Sequence, residues 1–148
     1  MDISIRTAMP ADVDAMVALD TIAATQEQRR SEIHSWVTAG SAVIADDGSR
    51  VAGYAVLEYS FFGQGFIAML QVVPSRRRQG IATSLLRHLE RTCRTPKLFT
   101  STNESNAPMR ALMSSLGYVP SGVVHNLDEN DPELFFFKPL QTQQKARP

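Results

Sequence analysis

The chain has 148 residues, of which 43% are hydrophobic and 20% are charged, and these values are typical of a single globular domain with a full core. Its 15 basic residues are balanced by 15 acidic ones, whereas nucleic-acid-binding domains are usually strongly basic. The single cysteine, Cys93, excludes an internal disulfide, no apolar run approaches membrane length, and no signal peptide is visible, so a cytoplasmic protein is expected.

The N-terminal part of the chain predicts a strand followed by two helices. Residues 3–7 alternate apolar and polar side chains, as in a half-buried strand. Pro10 and Asp12 favour the first turn of a helix. Thr25 and Gln28 have the spacing of a capping box, so they predict the start of a second helix.

The middle of the chain predicts an antiparallel hairpin and a further strand. Residues 42–45 and 51–59 are strand-like runs separated by the turn sequence Asp-Asp-Gly-Ser. A glycine-containing aromatic turn, residues 59–65, leads into the apolar run 66–73, which Pro74 ends.

The stretch after Pro74 carries three arginines, then Gln79 and Gly80, and then a helix with one apolar stripe. The stripe consists of Ile81, Leu85, Leu86, Leu89 and Cys93. The first N–H groups of a helix have no partner inside it, and the helix dipole is positive at that end. Gly80 lets an anion approach this backbone closely. A strand, a basic turn and a helix N-terminus in this order therefore predict a phosphate-binding site.

The C-terminal part predicts a strand, a helix and a final pair of strands. Residues 97–101 form a short apolar and β-branched run. Asn106 is a suitable N-cap for a helix that ends at Gly117. Residues 119–126 and 133–138 predict two strands joined by an acidic turn.

The basic turn and the helix start resemble the acyl-CoA-binding motif of the GNAT superfamily of N-acetyltransferases. Residues 77–82, Arg-Arg-Gln-Gly-Ile-Ala, fill its pattern Gln/Arg-x-x-Gly-x-Gly/Ala. The glycine spacing of a dinucleotide fingerprint and the Gly-Lys-Ser/Thr of a P-loop are absent. Residues 70–74 resemble the strand on the pyrophosphate side in that family. Asn106 and the later Gly117-Tyr118 resemble its second motif.

The resemblance implies an α/β fold: one domain over residues 1–140 with a mixed, mostly antiparallel twisted sheet, about four flanking helices and splayed central strands, then a polar tail, 141–148. It also implies transfer of an acetyl group from acetyl-CoA to a primary amine, by direct attack in a ternary complex. The pantetheine arm would pair with the central strand, and the pyrophosphate would bind N–H groups around Gly80. The implied cofactor-binding residues are Leu70, Val72, Arg77, Arg78, Gln79, Gly80, Ile81, Ala82, Thr83 and Asn106.

The catalytic residues are less well defined, because two family positions hold side chains without acid–base chemistry. Met113 stands where many relatives have a tyrosine acid, and Phe66 stands where some have a glutamate base. The candidates from elsewhere are Glu58, Tyr59 and Tyr118, although a Gly-Tyr pair after a helix is usually core packing. No metal ion is expected.

Three functions remain open on this sequence. They are an N-acetyltransferase acting on a small-molecule or peptide amine, a CoA- or acyl-CoA-binding module without catalysis, and a nucleic-acid-binding protein that uses the arginine turn. Electrical neutrality disfavours the third, and no membrane partner is expected. Asp128, Glu129 and Asp131 would suit a cationic acceptor, but an exposed acidic turn is the more common explanation. The protein is expected to be a monomer or a homodimer.

Overall fold

The computed structural model of the chain describes residues 2–20, 23, 26–76 and 80–140. The helices in these ranges are α1 (Val13–Leu19), α2 (Glu27–Thr38), α3 (Ile81–Thr92) and α4 (Ala107–Ser115). The strands are β1 (Ser4–Thr7), β2 (Ala42–Asp46), β3 (Val51–Phe61), β4 (Gln64–Val72), β5 (Lys97–Asn103), β6 (Val119–Val124) and β7 (Glu133–Pro139). None of these helices combines the length and the apolar composition of a membrane span.

The seven strands form one mixed sheet with the order β1-β2-β3-β4-β5-β7-β6. The pairs β1–β2, β2–β3, β5–β7 and β6–β7 are antiparallel, whereas β4 and β5 are parallel. The parallel register joins only residues 65–67 with residues 98–100, although both strands continue beyond it. The α/β fold predicted from the sequence, with a mixed sheet and four helices, is therefore confirmed.

The chain packs as two compact units. The first consists of Met1–Leu57 and Met69–Arg91, and the second consists of Glu58–Ala68 and Thr92–Pro148. Strands β3 and β4 contribute residues to both units, because the boundaries fall inside them.

The core of the first unit is formed by apolar side chains of its helices and strands. Met16 of α1, Ile33 of α2 and Leu85 of α3 have no exposed surface. Burying an aliphatic side chain of this size contributes about 1.5–3 kcal/mol. The predicted apolar stripe is confirmed, because all five of its members are buried: Ile81, Leu85, Leu86, Leu89 and Cys93.

The first unit also buries a carboxylate. Asp20, which directly follows α1, has no exposed surface. Its oxygens accept hydrogen bonds from Tyr54 Oη at 2.5 Å, from Ala23 N at 3.1 Å and from Arg29 Nη1 at 3.1 Å. Burial by itself would raise the pKa of Asp20, but these donors outweigh it and lower the pKa below its usual value. Asp20 therefore keeps its negative charge in the core, where these three donors compensate it.

The second unit is built on the antiparallel pair β5 and β7. Thr100 and Phe136 are cross-strand partners, and both are buried. Thr100 Oγ1 also donates to Ile67 O of β4 at 3.0 Å. Phe135 and Phe137, the neighbours of Phe136 in sequence, are half-buried. Since successive side chains of a strand point to opposite faces, β7 is covered on both faces to different degrees.

The predicted capping box at the start of α2 is wrong. The helix begins at Glu27, so Gln26 occupies the N-cap position, and it makes no side-chain cap hydrogen bond. Thr25 lies outside the described residues. The first turn of the helix is anchored instead by the bond from Arg29 to the buried Asp20.

The aromatic turn is shorter than the predicted residues 59–65. Strand β3 extends to Phe61 and β4 begins at Gln64, so only Phe62 and Gly63 connect them. Both have positive φ, 53° and 75°, as a two-residue type I′ turn requires. Asn and Gly are the usual residues of such turns, so the phenylalanine at position 62 obscured which two residues connect the strands.

Strand β6 lies at one end of the strand order and is exposed along its whole length. Its register against β7 shifts between Pro120 and Gly122, and a proline has no N–H to donate. Val119, Val123 and Val124 are apolar residues of this strand with exposed side chains.

Tyr54→Phe removes the hydroxyl that donates to Asp20 and keeps the ring. We expect the free energy of unfolding to fall by about 1–3 kcal/mol, because a buried carboxylate loses one of its donors. Urea denaturation at neutral pH measures the change. Tyr59→Phe is the matched control, since the Tyr59 hydroxyl accepts its hydrogen bond from the exposed Arg94 backbone.

The same variant tests the charge of Asp20. Since the folded state lowers the pKa of Asp20, the stabilisation is present above the usual aspartate pKa of about 4 and is lost as the pH falls through the folded value. The difference between wild type and Tyr54→Phe should therefore shrink in acid. A difference that stays constant from neutral to acid pH would contradict an ionised Asp20.

Candidate cofactor site at the start of α3

Strand β4 is joined to α3 by a turn that starts as a 3₁₀ helix. Val73 N donates to Ala52 O of β3 at 2.9 Å, and the 3₁₀ turn Pro74–Arg76 follows. Gly80 directly precedes α3 with a φ of +79°, which glycine adopts without strain. Three of the predicted cofactor residues lie outside the described residues: Arg77, Arg78 and Gln79.

The surroundings of Gly80 fit an anion. Among the described residues, no heavy atom lies within 4 Å of a Cβ atom built at this position, so they leave the space beside the backbone open. The first hydrogen bond of the helix runs from Ser84 N to Gly80 O at 3.0 Å. The N–H groups of Ile81, Ala82 and Thr83 therefore have no acceptor within the helix. Together with the helix dipole, these groups can bind a phosphate.

The last residues of β4 pack closely against β3. A Cβ atom on Gly53 would lie 2.7 Å from Gln71 O and 3.3 Å from Val72 Cα, so only glycine fits here. Val72 is buried and Leu70 is half-buried. Gly53 thus lets β3 approach the part of β4 that carries two of the predicted cofactor residues.

The first arginine of the basic run belongs to an ion pair. Arg76 Nη1 donates to Asp47 Oδ2 at 2.7 Å. Asp47 Oδ1 accepts hydrogen bonds from the backbone N of Ser49 and of Arg50, both at 2.9 Å. These two backbone bonds, and then the bond from Arg76, hold the pKa of Asp47 far below its usual value. Arg76 therefore ties the β2–β3 turn to the turn that leads to Gly80.

Asn106, the predicted cofactor residue of the second motif, is the N-cap of α4. Its side-chain oxygen accepts a hydrogen bond from Met109 N at 3.2 Å, and the residue is exposed. Gly117 follows the helix with a φ of +93°, as predicted from its position. The capping role is confirmed, and a contact of Asn106 with the cofactor stays a prediction.

The two candidate tyrosines differ in their surroundings. Tyr59 Oη accepts a hydrogen bond from Arg94 N at 3.0 Å, and the Arg94 guanidinium lies 4.1 Å from the centre of its ring. Burial is the main cause of the raised pKa of Tyr59. Tyr118 is 3% exposed, and Lys138 Nζ lies 5.5 Å from the centre of its ring. Tyr118 is therefore a core residue, as its position after Gly117 indicates.

The other positions considered for catalysis hold Glu58, Met113 and Phe66. Glu58 is half-buried near the end of β3. Met113 is 1% exposed, so the position of the family tyrosine is part of the core. Phe66 packs on the Phe61 ring, with the ring centres 4.9 Å apart. In the described part of the chain, no three His, Cys, Asp or Glu side chains are grouped to hold a metal ion.

The cluster around Asp20 was not predicted from the sequence. Besides its bond to Asp20, Arg29 donates from Nε to Glu32 Oε1 at 3.0 Å. Its Nη1 atom lies 3.7 Å from Met69 Sδ of β4. The cluster therefore reaches the central strand. The available signal was a single aspartate within the apolar stretch 17–24, although its partners are distant in sequence.

Comparison with solved structures gives close matches over the whole length. An acetyltransferase of the GNAT family from Bacillus cereus is 33% identical, with a TM-score of 0.88, covering 95% of this chain and 99% of the other. An N-acetyltransferase from Staphylococcus aureus is 19% identical, with a TM-score of 0.74 and coverage of 95% and 100%. The yncA protein from Salmonella typhimurium, solved with its cofactor acetyl-CoA, is 19% identical, with a TM-score of 0.75 and coverage of 95% of both chains. The last two are distant enough to show the fold alone.

The sequence itself matches a known family. Residues 12–118 match the acetyltransferase (GNAT) family, whereas no curated protein gives a significant match. The family match spans most of the chain, and the Bacillus cereus structure agrees with it in both sequence and fold. The prediction of an acetyl-CoA-dependent acetyltransferase is thereby confirmed at the level of the family. The chain belongs to the GNAT family of acetyltransferases.

Proposed function

We propose that the protein transfers an acetyl group from acetyl-CoA to a primary amine of a small molecule or peptide, by direct attack in a ternary complex. The observation that carries the proposal is the start of α3. There, none of the described atoms fills the space beside Gly80, and three N–H groups have no acceptor within the helix. Membership of the acetyltransferase family supports the reaction type.

The pyrophosphate of CoA is assigned to the first turn of α3. A charge-assisted hydrogen bond contributes about 1.5–3 kcal/mol, and a helix N-terminus adds up to ~2 kcal/mol. After the entropic cost of ordering the ligand and the protein is subtracted, a few such bonds correspond to micromolar affinity for CoA, a binding free energy of about −8 kcal/mol. The residues assigned to CoA are Leu70, Val72, Arg77, Arg78, Gln79, Gly80, Ile81, Ala82, Thr83 and Asn106.

The chemistry requires a neutral amine, a donor to the oxyanion and a route for the departing thiolate. The amine attacks the thioester carbon only after it loses a proton to a base or to water. The resulting tetrahedral oxyanion is stabilised by a backbone N–H of β4. The C–S bond then breaks, and CoA leaves as a thiolate. Because the pKa of a thiol is about 8.5, the thiolate can leave with little help from an acid.

The proton for the thiolate comes from water or from a side chain outside the family position. Met113 is buried and carries no titratable group, so it cannot supply a proton. Tyr59 and Tyr118 are the candidate acids, and Glu58 is the candidate base. Tyr118 lies in the core, which favours water over this phenol.

Gly80→Val places a branched side chain in the open space beside the helix start. CoA affinity should fall by about tenfold or more, because the pyrophosphate and the side chain would compete for this space. Isothermal titration calorimetry measures the affinity. Gly40→Val is the matched control, since Gly40 also has a positive φ, +73°, and no heavy atom near a Cβ atom. Unchanged CoA affinity in a folded Gly80→Val protein would contradict the assignment of the pyrophosphate to the first turn of α3.

Arg78→Ala should weaken CoA binding and reduce its dependence on salt, because the removed charge attracts the phosphates through the solvent. The test is CoA affinity at low and high ionic strength, with Arg50→Ala as a control in the exposed β2–β3 turn. A wild-type affinity that does not depend on salt would mean that the backbone N–H groups bind CoA without the arginines.

Tyr118→Phe should change turnover little, because the hydroxyl lies on a core residue. A general acid contributes on the order of 10²–10⁴ in rate, so a hundredfold loss in kcat with unchanged KM would identify Tyr118 as the acid. Tyr59→Phe is measured in parallel, with thiol release as the assay. Mild effects at both tyrosines agree with water as the proton source.

The proposal also has a clear negative outcome. A chain that binds CoA but releases no thiol with any amine would be the CoA-binding module without catalysis. The buried Met113 is the observation that favours this alternative, because the family acid is missing at that position.

A further inference from the structure

The second compact unit contains a cluster of aromatic rings. Six of the seven phenylalanines of the chain make ring contacts with one another. Phe61 is at its centre, with ring centres 4.9 Å from Phe66, 5.2 Å from Phe99 and 5.6 Å from Phe135. The cluster therefore joins residues of β3, β4, β5 and β7 within one unit.

These rings do not form the buried core. Phe62 is 87% exposed, and the other five rings of the cluster belong to half-buried residues. Phe136, which is outside the cluster, is 7% exposed, and the buried aromatic residues Tyr54 and Tyr118 are also outside it. Large exposed apolar patches on soluble domains often mark binding sites. The cluster therefore leaves part of its aromatic surface exposed.

A carboxylate lies on the same face as part of this cluster. In the register of β5 and β7, Ser101 pairs with Phe135 and Asn103 pairs with Glu133. Residues two apart in a strand share a face, so Glu133 and Phe135 project from the same side of the sheet. Ser101 Oγ donates to Glu133 Oε2 at 2.7 Å. Among the described residues, Glu133 Oε1 has no hydrogen-bond partner.

The charge around Glu133 is negative. Asn103 Nδ2 donates to Asp128 Oδ2 at 2.8 Å, and Ser105 Oγ donates to Asp131 Oδ2 at 2.6 Å. Both aspartates are thereby held beside the end of β5, before the strand that begins with Glu133. Carboxylates in this arrangement attract a cation and repel an anion.

We infer that this surface, formed by Phe61, Phe66, Phe135 and Glu133, binds the acetyl acceptor, and that the acceptor is an amine attached to an aromatic or similarly large apolar group. The inference rests on the proposed transfer of an acetyl group to an amine. The rings contact the apolar group through stacking or edge contacts, and Glu133 binds the ammonium before it is deprotonated. Phe66 belongs to β4, the strand that also carries Leu70.

Binding is tested first, because it does not depend on catalysis. Three probes separate the two parts of the surface: 2-phenylethylamine carries a ring and a cation, n-butylamine only a cation, and 3-phenylpropionate a ring and an anion. Calorimetry on the full chain, with and without CoA, should give 2-phenylethylamine an affinity about tenfold above that of each other probe. Equal affinities for the three probes would overturn the inference.

Three variants then identify the residues. Glu133→Gln should weaken 2-phenylethylamine about tenfold and remove the discrimination against 3-phenylpropionate. Glu27→Gln, which changes an exposed acid on α2, is the matched control and should change nothing. Phe61→Leu should weaken 2-phenylethylamine but not n-butylamine, and Phe135→Leu replaces it if that variant does not fold. Wild-type binding of 2-phenylethylamine by Glu133→Gln would overturn the assignment.

Acetylation assays separate this inference from the proposed function. If n-butylamine and 2-phenylethylamine are acetylated with equal kcat/KM, and Glu133→Gln has no effect, the function stands and the inference falls. If no amine is acetylated but 2-phenylethylamine binds in a way that requires Glu133, the binding surface stands and the proposed catalysis falls.

Discussion

The buried charge of Asp20 constrains the first half of the fold. A carboxylate without exposed surface needs donors from the protein, and Asp20 takes them from β3, α2 and the segment between α1 and α2. Removing one partner of such a buried pair typically costs about 3–5 kcal/mol, because an uncompensated charge remains. Arg29 extends the network to Met69 of β4. Hydrogen bonds of Arg29 therefore link α2 to the strand that leads to α3.

Features with local causes were predicted well from the sequence. The apolar stripe of α3 depends on residues within four turns of the same helix, and the structure has it as predicted. The cap at Asn106 is also local, because its side chain accepts from a backbone N–H three residues later. The end of α4 at Gly117 is local as well, because a single positive φ accounts for it. The order of helices and strands follows from these signals and from the turns between them.

Features that depend on distant partners could not be predicted. Arg76 was one of three arginines in a basic run, and only the fold brings Asp47, 29 residues earlier, within 2.7 Å of it. A capping box predicted the start of α2, but a bond from Arg29 to a buried aspartate anchors its first turn. The ring cluster likewise unites phenylalanines of four strands. The residues predicted to bind the cofactor are mostly close together in sequence, whereas the ring cluster is assembled by tertiary structure.

The outer strand β6 has a consequence for the behaviour of the protein at high concentration. An exposed sheet edge with valine side chains is a template on which a strand of another molecule can add, which is a first step of aggregation. Such addition requires evenly spaced N–H and C=O groups along the edge. Pro120 removes one donor, and the register shift before Gly122 interrupts the spacing. The edge is thereby protected by backbone geometry rather than by charge.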